Sequence, residues 1–174
     1  MGESMSNKIK AILNHEEFIK RNKLIDMYEA DRKFCLHNLQ HFFDTSRITY
    51  ILILENDQYK KLFPGRDIEE VKELVYAAGL LHDLGRIEQY LEGTDHALVS
   101  SKIAKGIMED VGFTVENIEI VCQAIGEHRE YKKTNSPFGR KLYEGDKLSR
   151  QCQDCKAFDE CKIELKYKQD KQIY

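Results

Sequence analysis

The sequence predicts an all-α fold, and three observations predict it. Only two prolines occur in 174 residues, and proline is the strongest breaker of a helix interior. Glu, Lys, Leu and Ile are abundant, a composition that favours helix. Apolar residues recur at spacings of three and four, with no convincing strand pattern, repeat or low-complexity tract. The length suits one domain with a core that needs no disulfide staple. The expected architecture is a single-domain bundle of about six or seven short-linked helices.

The elements follow in order. Ile9, Ile12, Leu13, Phe18 and Ile19 share a helical face and predict a helix over Asn7 to Lys23. Asp31 to Leu54 reads as one long helix, with Phe34, Leu39, Phe42, Phe43, Ile48, Ile51 and Leu52 as candidate core. Phe63-Pro64-Gly65-Arg66-Asp67 is a turn whose last residue caps the next helix. That helix runs Ile68 to Leu84, apolar on most sides at its end, with Gly85 as its stop. After the loop Glu92 to Asp95, a helix spans His96 to Val111, closed by Gly112. Thr114 caps Val115 to Glu127, and Lys132 to Ser136 is a polar loop. Ser136-Pro137 opens the last helix, which runs to about Arg150. The polar tail from Lys162 to Tyr174 is expected to fray. The chain divides into a helical extension (1–26), a central domain (27–151) and a cysteine-bearing tail (152–174).

Composition excludes several classes. A net charge of -3 gives no global pull toward nucleic acid or an anionic membrane. Charged residues at 33% suit exposed helix faces. No apolar run reaches the ~18 residues of a membrane span. Met1 to Lys10 lacks the apolar stretch of a secretory signal, so a cytoplasmic protein is expected. Five cysteines then read as thiols or metal ligands. Cys35 and Cys122 each stand alone. Cys152, Cys155 and Cys161 form C-x2-C-x5-C, whose first pair could grip one soft-metal ion from a turn. The alternative is three reduced thiols.

The chemistry concentrates at Leu80-Leu81-His82-Asp83-Leu84-Gly85. A carboxylate at the end of an apolar helix needs a partner or a cation. Asp83 could simply pair with Arg86, leaving His82 a satisfied core histidine. Adjacent helical residues diverge by roughly 100°, so one ion held by both needs ligands from other helices. His41 lies inside the long second helix, His96 at a helix start, and His128 and Asp146 near helix ends, each among small or apolar residues. Imidazole with carboxylate suits iron, manganese, zinc, nickel or cobalt. His37 rivals His41, because residues four apart share a face. His15 reads as exposed.

These residues, taken with their flanks, resemble the HD superfamily. His41, His82-Asp83 and Asp146 follow its H…HD…D order. His41-Phe42-Phe43-Asp44-Thr45-Ser46-Arg47 resembles the first motif, with small residues four and five positions beyond the histidine. Ala77 to Arg86 resembles the central motif almost throughout. Gly145-Asp146-Lys147-Leu148-Ser149 resembles the closing one, with Gly145 where alanine is usual. The likeness covers roughly residues 30 to 150 and implies an HD-domain-like bundle. It implies one ion on His41, His82, Asp83 and Asp146, and a second on Asp83, His96 and His128, with Asp83 shared. Arg129 stands where some two-metal branches carry another histidine. The register selects His41 over His37, which becomes a neighbour of the site or polar surface. No fourth ligand stands near Cys152, Cys155 and Cys161; because His41 and Asp146 must then meet, Cys35 is a candidate for it in a separate structural site.

The resemblance implies a phosphohydrolase using metal-activated water on a phosphomonoester, nucleotide or dinucleotide. Asp83 would be a ligand that also orients the water. Arg86, Lys147 and Arg129 would neutralise phosphate charge. Iron or manganese is favoured as the metal. The partner expected is a small phosphorylated molecule, with no nucleic-acid polymer and no membrane, and a homo-oligomer is allowed. Two other readings stay open: a di-iron oxygenase on the same scaffold, and a non-catalytic metal- or nucleotide-binding module.

Overall fold

A computed structural model of the chain describes residues 6–55, 58–150, 152, 155–164 and 167–168. The described residues are helical, without a strand. The helices are α1 (Asn7–Asn14), α2 (Glu16–Tyr28), α3 (Leu39–Leu54), α4 (Gln58–Leu62), α5 (Ile68–Leu81), α6 (Arg86–Glu92), α7 (His96–Asp110), α8 (Val115–Glu127) and α9 (Pro137–Leu148). None is long and apolar enough to cross a membrane.

Short polar side chains set most of the starts. Asp67 accepts from the Glu70 amide at 2.8 Å, Thr114 from Asn117 at 3.3 Å and Ser136 from Gly139 at 3.0 Å. Proline occupies the first turn of α9. Gly112, at φ 82°, follows α7 in the left-handed conformation that glycine adopts freely.

The helix expected over Asn7 to Lys23 is instead two. His15 leaves the helical conformation (φ -68°, ψ 133°), and its Nδ1 accepts from the Glu17 amide to start α2. It is half-buried rather than exposed, with Nε2 3.2 Å from Asp110. The long helix expected from Asp31 starts only at Leu39. Asn38 caps it by accepting from the His41 amide at 3.0 Å, and the buried Glu29 carboxylate takes the His37 amide at 2.6 Å. That bond holds residues 31–38 in an irregular path. Phe34, Leu39 and Ile51, expected in the core, are consequently exposed, while Phe42, Ile48 and Leu52 are buried. α5 ends at Leu81, not Leu84, and the short helices α4 and α6 were not legible. The fraying tail expected from Lys162 lies largely outside the described residues.

One core joins these elements. Ile9, Ile12, Phe18 and Ile25 of the amino-terminal helices pack into the same cluster as Phe42, Leu74, Leu80, Leu84, Met108, Ile125 and Leu142. α3 runs through the middle, against α5 on one side and α9 on the other. Small residues permit that proximity. A methyl group added at Gly79 would lie 2.7 Å from the Ser46 Cα and 2.8 Å from its amide. One added at Gly145 would lie 3.1 Å from both Cβ and the amide of Thr49. Of the small residues beyond His41, Ser46 is therefore the contact point for α5, while Thr45 bonds Ser149 at 3.3 Å. Gly145 stands in place of alanine because Thr49 takes the space.

Gly79→Ala should accordingly lower stability by at least ~2 kcal/mol, since backbone must move to admit the methyl group. Gly106, inside α7 with nothing within 4 Å of its would-be Cβ, is the contrast. Gly106→Ala should raise stability by up to ~1 kcal/mol through helix propensity. Urea unfolding of both variants checks the pair; equal destabilisation would contradict the packing described.

Candidate metal centre

Five helix termini deliver the candidate ligands. His41 sits in the first turn of α3, and His82 and Asp83 follow the end of α5. His96 opens α7, His128 caps the end of α8, and Asp146 lies in the last turn of α9. The turn after α5 is seated closely on α7, where the Gly85 amide donates to Ser100 Oγ at 2.8 Å. A methyl at Gly85 would meet the His96 carbonyl oxygen at 2.5 Å.

The six residues form two overlapping sets. One ligand atom each from His41, His82, Asp83 and Asp146 lie within 4.8 Å of one another, and so do those from Asp83, His96 and His128. Asp83 belongs to both. All six are buried, with His82 and Asp83 fully enclosed.

The hydrogen bonds behind the rings decide what the front can do. His82 Nδ1 donates to the Gly79 carbonyl at 2.8 Å, and His128 Nδ1 to the Ile125 carbonyl at 2.6 Å. Ser149 Oγ gives its proton to the Asp146 carbonyl at 2.8 Å, so it accepts from His41 Nδ1 at 3.1 Å. This assigns the Nδ1–H tautomer to all three rings in their neutral form and leaves each Nε2 as a bare lone pair. All three Nε2 atoms are buried without a hydrogen-bond partner. They nevertheless face carboxylates: His82 and His128 lie 3.2 and 3.5 Å from Asp83, and His41 lies 3.4 Å from Asp146. Lone pairs facing carboxylate oxygens repel unless positive charge lies between them. His96 Nε2 is 3.3 Å from Asp83, and its Nδ1 also lacks a partner. The donor set therefore fits one or two divalent cations of the transition series.

The electrostatics agree. Burial alone would push the Asp83 carboxyl up, but the Arg86 guanidinium beside it outweighs burial and holds it well below the usual range. Burial acts the same way on Asp146, and Arg150 and Lys147 overcome it. Burial pushes the His82 ring down, and His96 to about 3, so both are neutral imidazoles at physiological pH. His41 is the exception: Asp146 and Asp83 outweigh burial and raise it, so without a cation this ring draws a proton into the place the cation would fill.

The second-rank candidates fall in different places. Arg86 grips Asp83 with two bonds, 2.9 and 3.1 Å, so the simple ion pair also exists, but it leaves the surrounding imidazoles unexplained. Lys147 Nζ is 2.5 Å from Asp146. Arg129 pairs with Asp95 at 2.8 Å and is half-exposed. His37 is buried rather than surface. Its Nδ1 bonds Glu29 at 2.6 Å and its Nε2 lies 3.8 Å from Asp83. Tyr90 donates to the same Glu29 oxygen. The His37 and Tyr90 bonds overcome burial and bring Glu29 down to about 2, while burial brings His37 down to about 4.

Arg150, Glu29 and Tyr90 were missed in the sequence. Arg150 lies four residues beyond Asp146, a spacing that hints at an ion pair. Glu29 and Tyr90 carry no such signal. None of the cysteines is in a disulfide. Among the described residues, no ligand group within 4.8 Å includes Cys35, Cys152, Cys155 or Cys161. A cavity of about 290 Å³ reaches the centre at His41, lined also by Asn38, Ser149 and Arg150.

The chain is 40% identical over 158 residues to an uncharacterized protein of Clostridium beijerinckii (strain ATCC 51743 / NCIMB 8052), spanning 89% of this chain and 91% of that one. It shares its fold with a predicted HD superfamily hydrolase from an uncultured Thermotogales bacterium, solved by crystallography. That likeness has a TM-score of 0.54 and 24% identity, over 76% of this chain and 66% of the other. The HD domain family matches residues 38–162, most of the chain and every one of the six clustered residues. With the helical bundle and the two His/Asp clusters, that match makes this chain a member of the HD domain family.

Proposed function

We propose that the protein is a metal-dependent phosphohydrolase acting on a small phosphorylated substrate, a phosphomonoester, nucleotide or dinucleotide. One observation carries the reading: buried imidazole lone pairs converge on two ionised carboxylates, with Arg86, Lys147 and Arg150 packed around them. A divalent ion held there supplies a Lewis acid and a water acidic enough to attack phosphorus at neutral pH. Asp83, common to both sets, is the shared ligand. The backbone carbonyls of Gly79 and Ile125 and the Ser149 hydroxyl hold the three rings in orientation. Arg86 and Lys147 are placed to meet phosphate charge. Arg129, near His128, offers charge at the rim. Iron or manganese is the favoured metal. The second set, Asp83-His96-His128, also supports a second reading, a di-iron oxygenase. Phosphate release from a nucleotide and monoester panel after anaerobic purification supports the first; oxygen uptake with a di-iron spectrum and no phosphate release would replace it.

Two outcomes are expected of variants. His82→Ala and Asp83→Ala should each lose metal and phosphate release together while keeping a helical circular dichroism spectrum. Full metal content in Asp83→Ala would defeat the assignment. His96→Ala and His128→Ala should lower metal from about two ions per chain to about one by elemental analysis, and His41→Ala should lower it further. Wild-type protein that never exceeds one ion under anaerobic loading would remove the second site.

A further inference from the structure

A second cavity, of about 360 Å³, also borders the 31–38 segment and is lined by His37 and Arg86, both facing Asp83. Its charged lining is Arg32, Arg86, Arg150 and Lys162 against one carboxylate, Glu160. That carboxylate is already taken by Lys33, 2.6 Å from both oxygens. Arg150 and Cys35 line both this cavity and the one at His41, so the two share a wall beside the centre.

The donors there are not used up. Arg150 Nε is buried with no hydrogen-bond partner, and an orphaned guanidinium N–H is costly until an acceptor reaches it. Lys162 is exposed and makes no ion pair among the described residues. Arg32 holds the Cys35 carbonyl and the Tyr90 hydroxyl, each at 3.0 Å, which fixes its guanidinium at the cavity edge. Arg86 and Arg150 are paired with Asp83 and Asp146. When those carboxylates also serve a bound cation, each guanidinium shares its partner and gains from an added anion. A single phosphate at the centre would be met by Arg86 and Lys147. It would leave Lys162 unused, and Arg32, which also lies 3.7 Å from Glu29, facing the cavity without an anion there.

We propose that this cavity binds the second phosphate of a substrate carrying two or more linked phosphates, a linear di- or triphosphate ester, whose reacting phosphate lies at the metal centre. The site rests on the phosphohydrolase reading for which phosphate reacts, and on its own residues for binding. Calorimetry on the full chain loaded with manganese tests it, with inorganic phosphate, citrate and methylenediphosphonate as probes; the last has a P–C–P bridge that resists hydrolysis. Methylenediphosphonate should bind at least about tenfold tighter than phosphate, the scale of one added charge-assisted contact. Lys162→Ala should shrink that ratio several-fold and Lys162→Glu should bring it close to one. The exposed position of Lys162 leaves folding intact, which circular dichroism verifies. Equal affinities in the wild type, a ratio unchanged in Lys162→Glu, or citrate binding as tightly as the bisphosphonate would each overturn the proposal. Phosphate release from monoesters with no bisphosphonate preference sinks this subsite and leaves the hydrolase reading intact. A Lys162-dependent preference in a protein that hydrolyses no phosphate ester upholds the subsite and sinks that reading.

Discussion

Two carboxylates, Asp83 and Asp146, are enclosed almost completely by protein, and every neighbouring feature answers to their charge. An ionised carboxylate removed from water carries a penalty of several kcal/mol after relaxation. Arg86 covers both oxygens of Asp83, and Lys147 and Arg150 cover Asp146. Four imidazoles then close the space between. In this chain the cluster is assembled at helix ends, where the starts of α3 and α7 meet the ends of α5, α8 and α9. The grip on α3 achieves this. Gly79 and Gly145 let α5 and α9 approach Ser46 and Thr49 closely, which draws Asp83, Asp146 and His41 within a few ångströms of one another.

The helix ends also supply the chemistry that orients the rings. The last carbonyls of a helix have no intrahelical donor. His82 and His128 are both C-cap residues, and each gives its Nδ1 proton to the carbonyl three residues back. A single hydrogen bond to a last-turn carbonyl thus fixes the tautomer and turns the Nε2 lone pair inward. His41 stands at a helix start, where no such carbonyl is available, and Ser149 serves instead. The residue three beyond Asp146 is therefore part of the site's construction.

How much of this was legible follows from the same physics. The all-helical class and the caps at Asp67, Thr114 and Ser136 were readable from local spacing. The six His and Asp residues were candidates as types costly to bury, but sorting them into two sets, and His41 over His37, rested on the resemblance to the HD superfamily. Where the helix bounds departed from the reading, a side chain bonding to the backbone was responsible in two places. Apolar spacing alone would carry one helix from Asp31 to Leu54, but Glu29 and His37 interrupt it through a bond visible only in three dimensions. His15 split the first helix because its ring can act as a cap, a role that composition does not distinguish from surface polarity. Arg150 and Tyr90 enter through tertiary placement, and α4 and α6 are too short for periodicity to register.

The interrupted helix has its own logic. Glu29 takes the His37 amide, the His37 ring and the Tyr90 hydroxyl, so one buried carboxylate ties α2, the 31–38 segment and α6 together. Were residues 31–38 helical, the His37 amide would point back along the helix and Glu29 would be a third buried anion short of partners. The irregular path instead places the His37 ring between Glu29 and Asp83, 2.6 Å from one and 3.8 Å from the other. Burial keeps that ring neutral, so it separates the two carboxylates and satisfies Glu29 without adding charge beside Asp83. The same segment carries Cys35 into the wall between the two cavities. The conformation that defeats helical periodicity is thus the one that keeps two anions apart and lines the cavity that reaches His41.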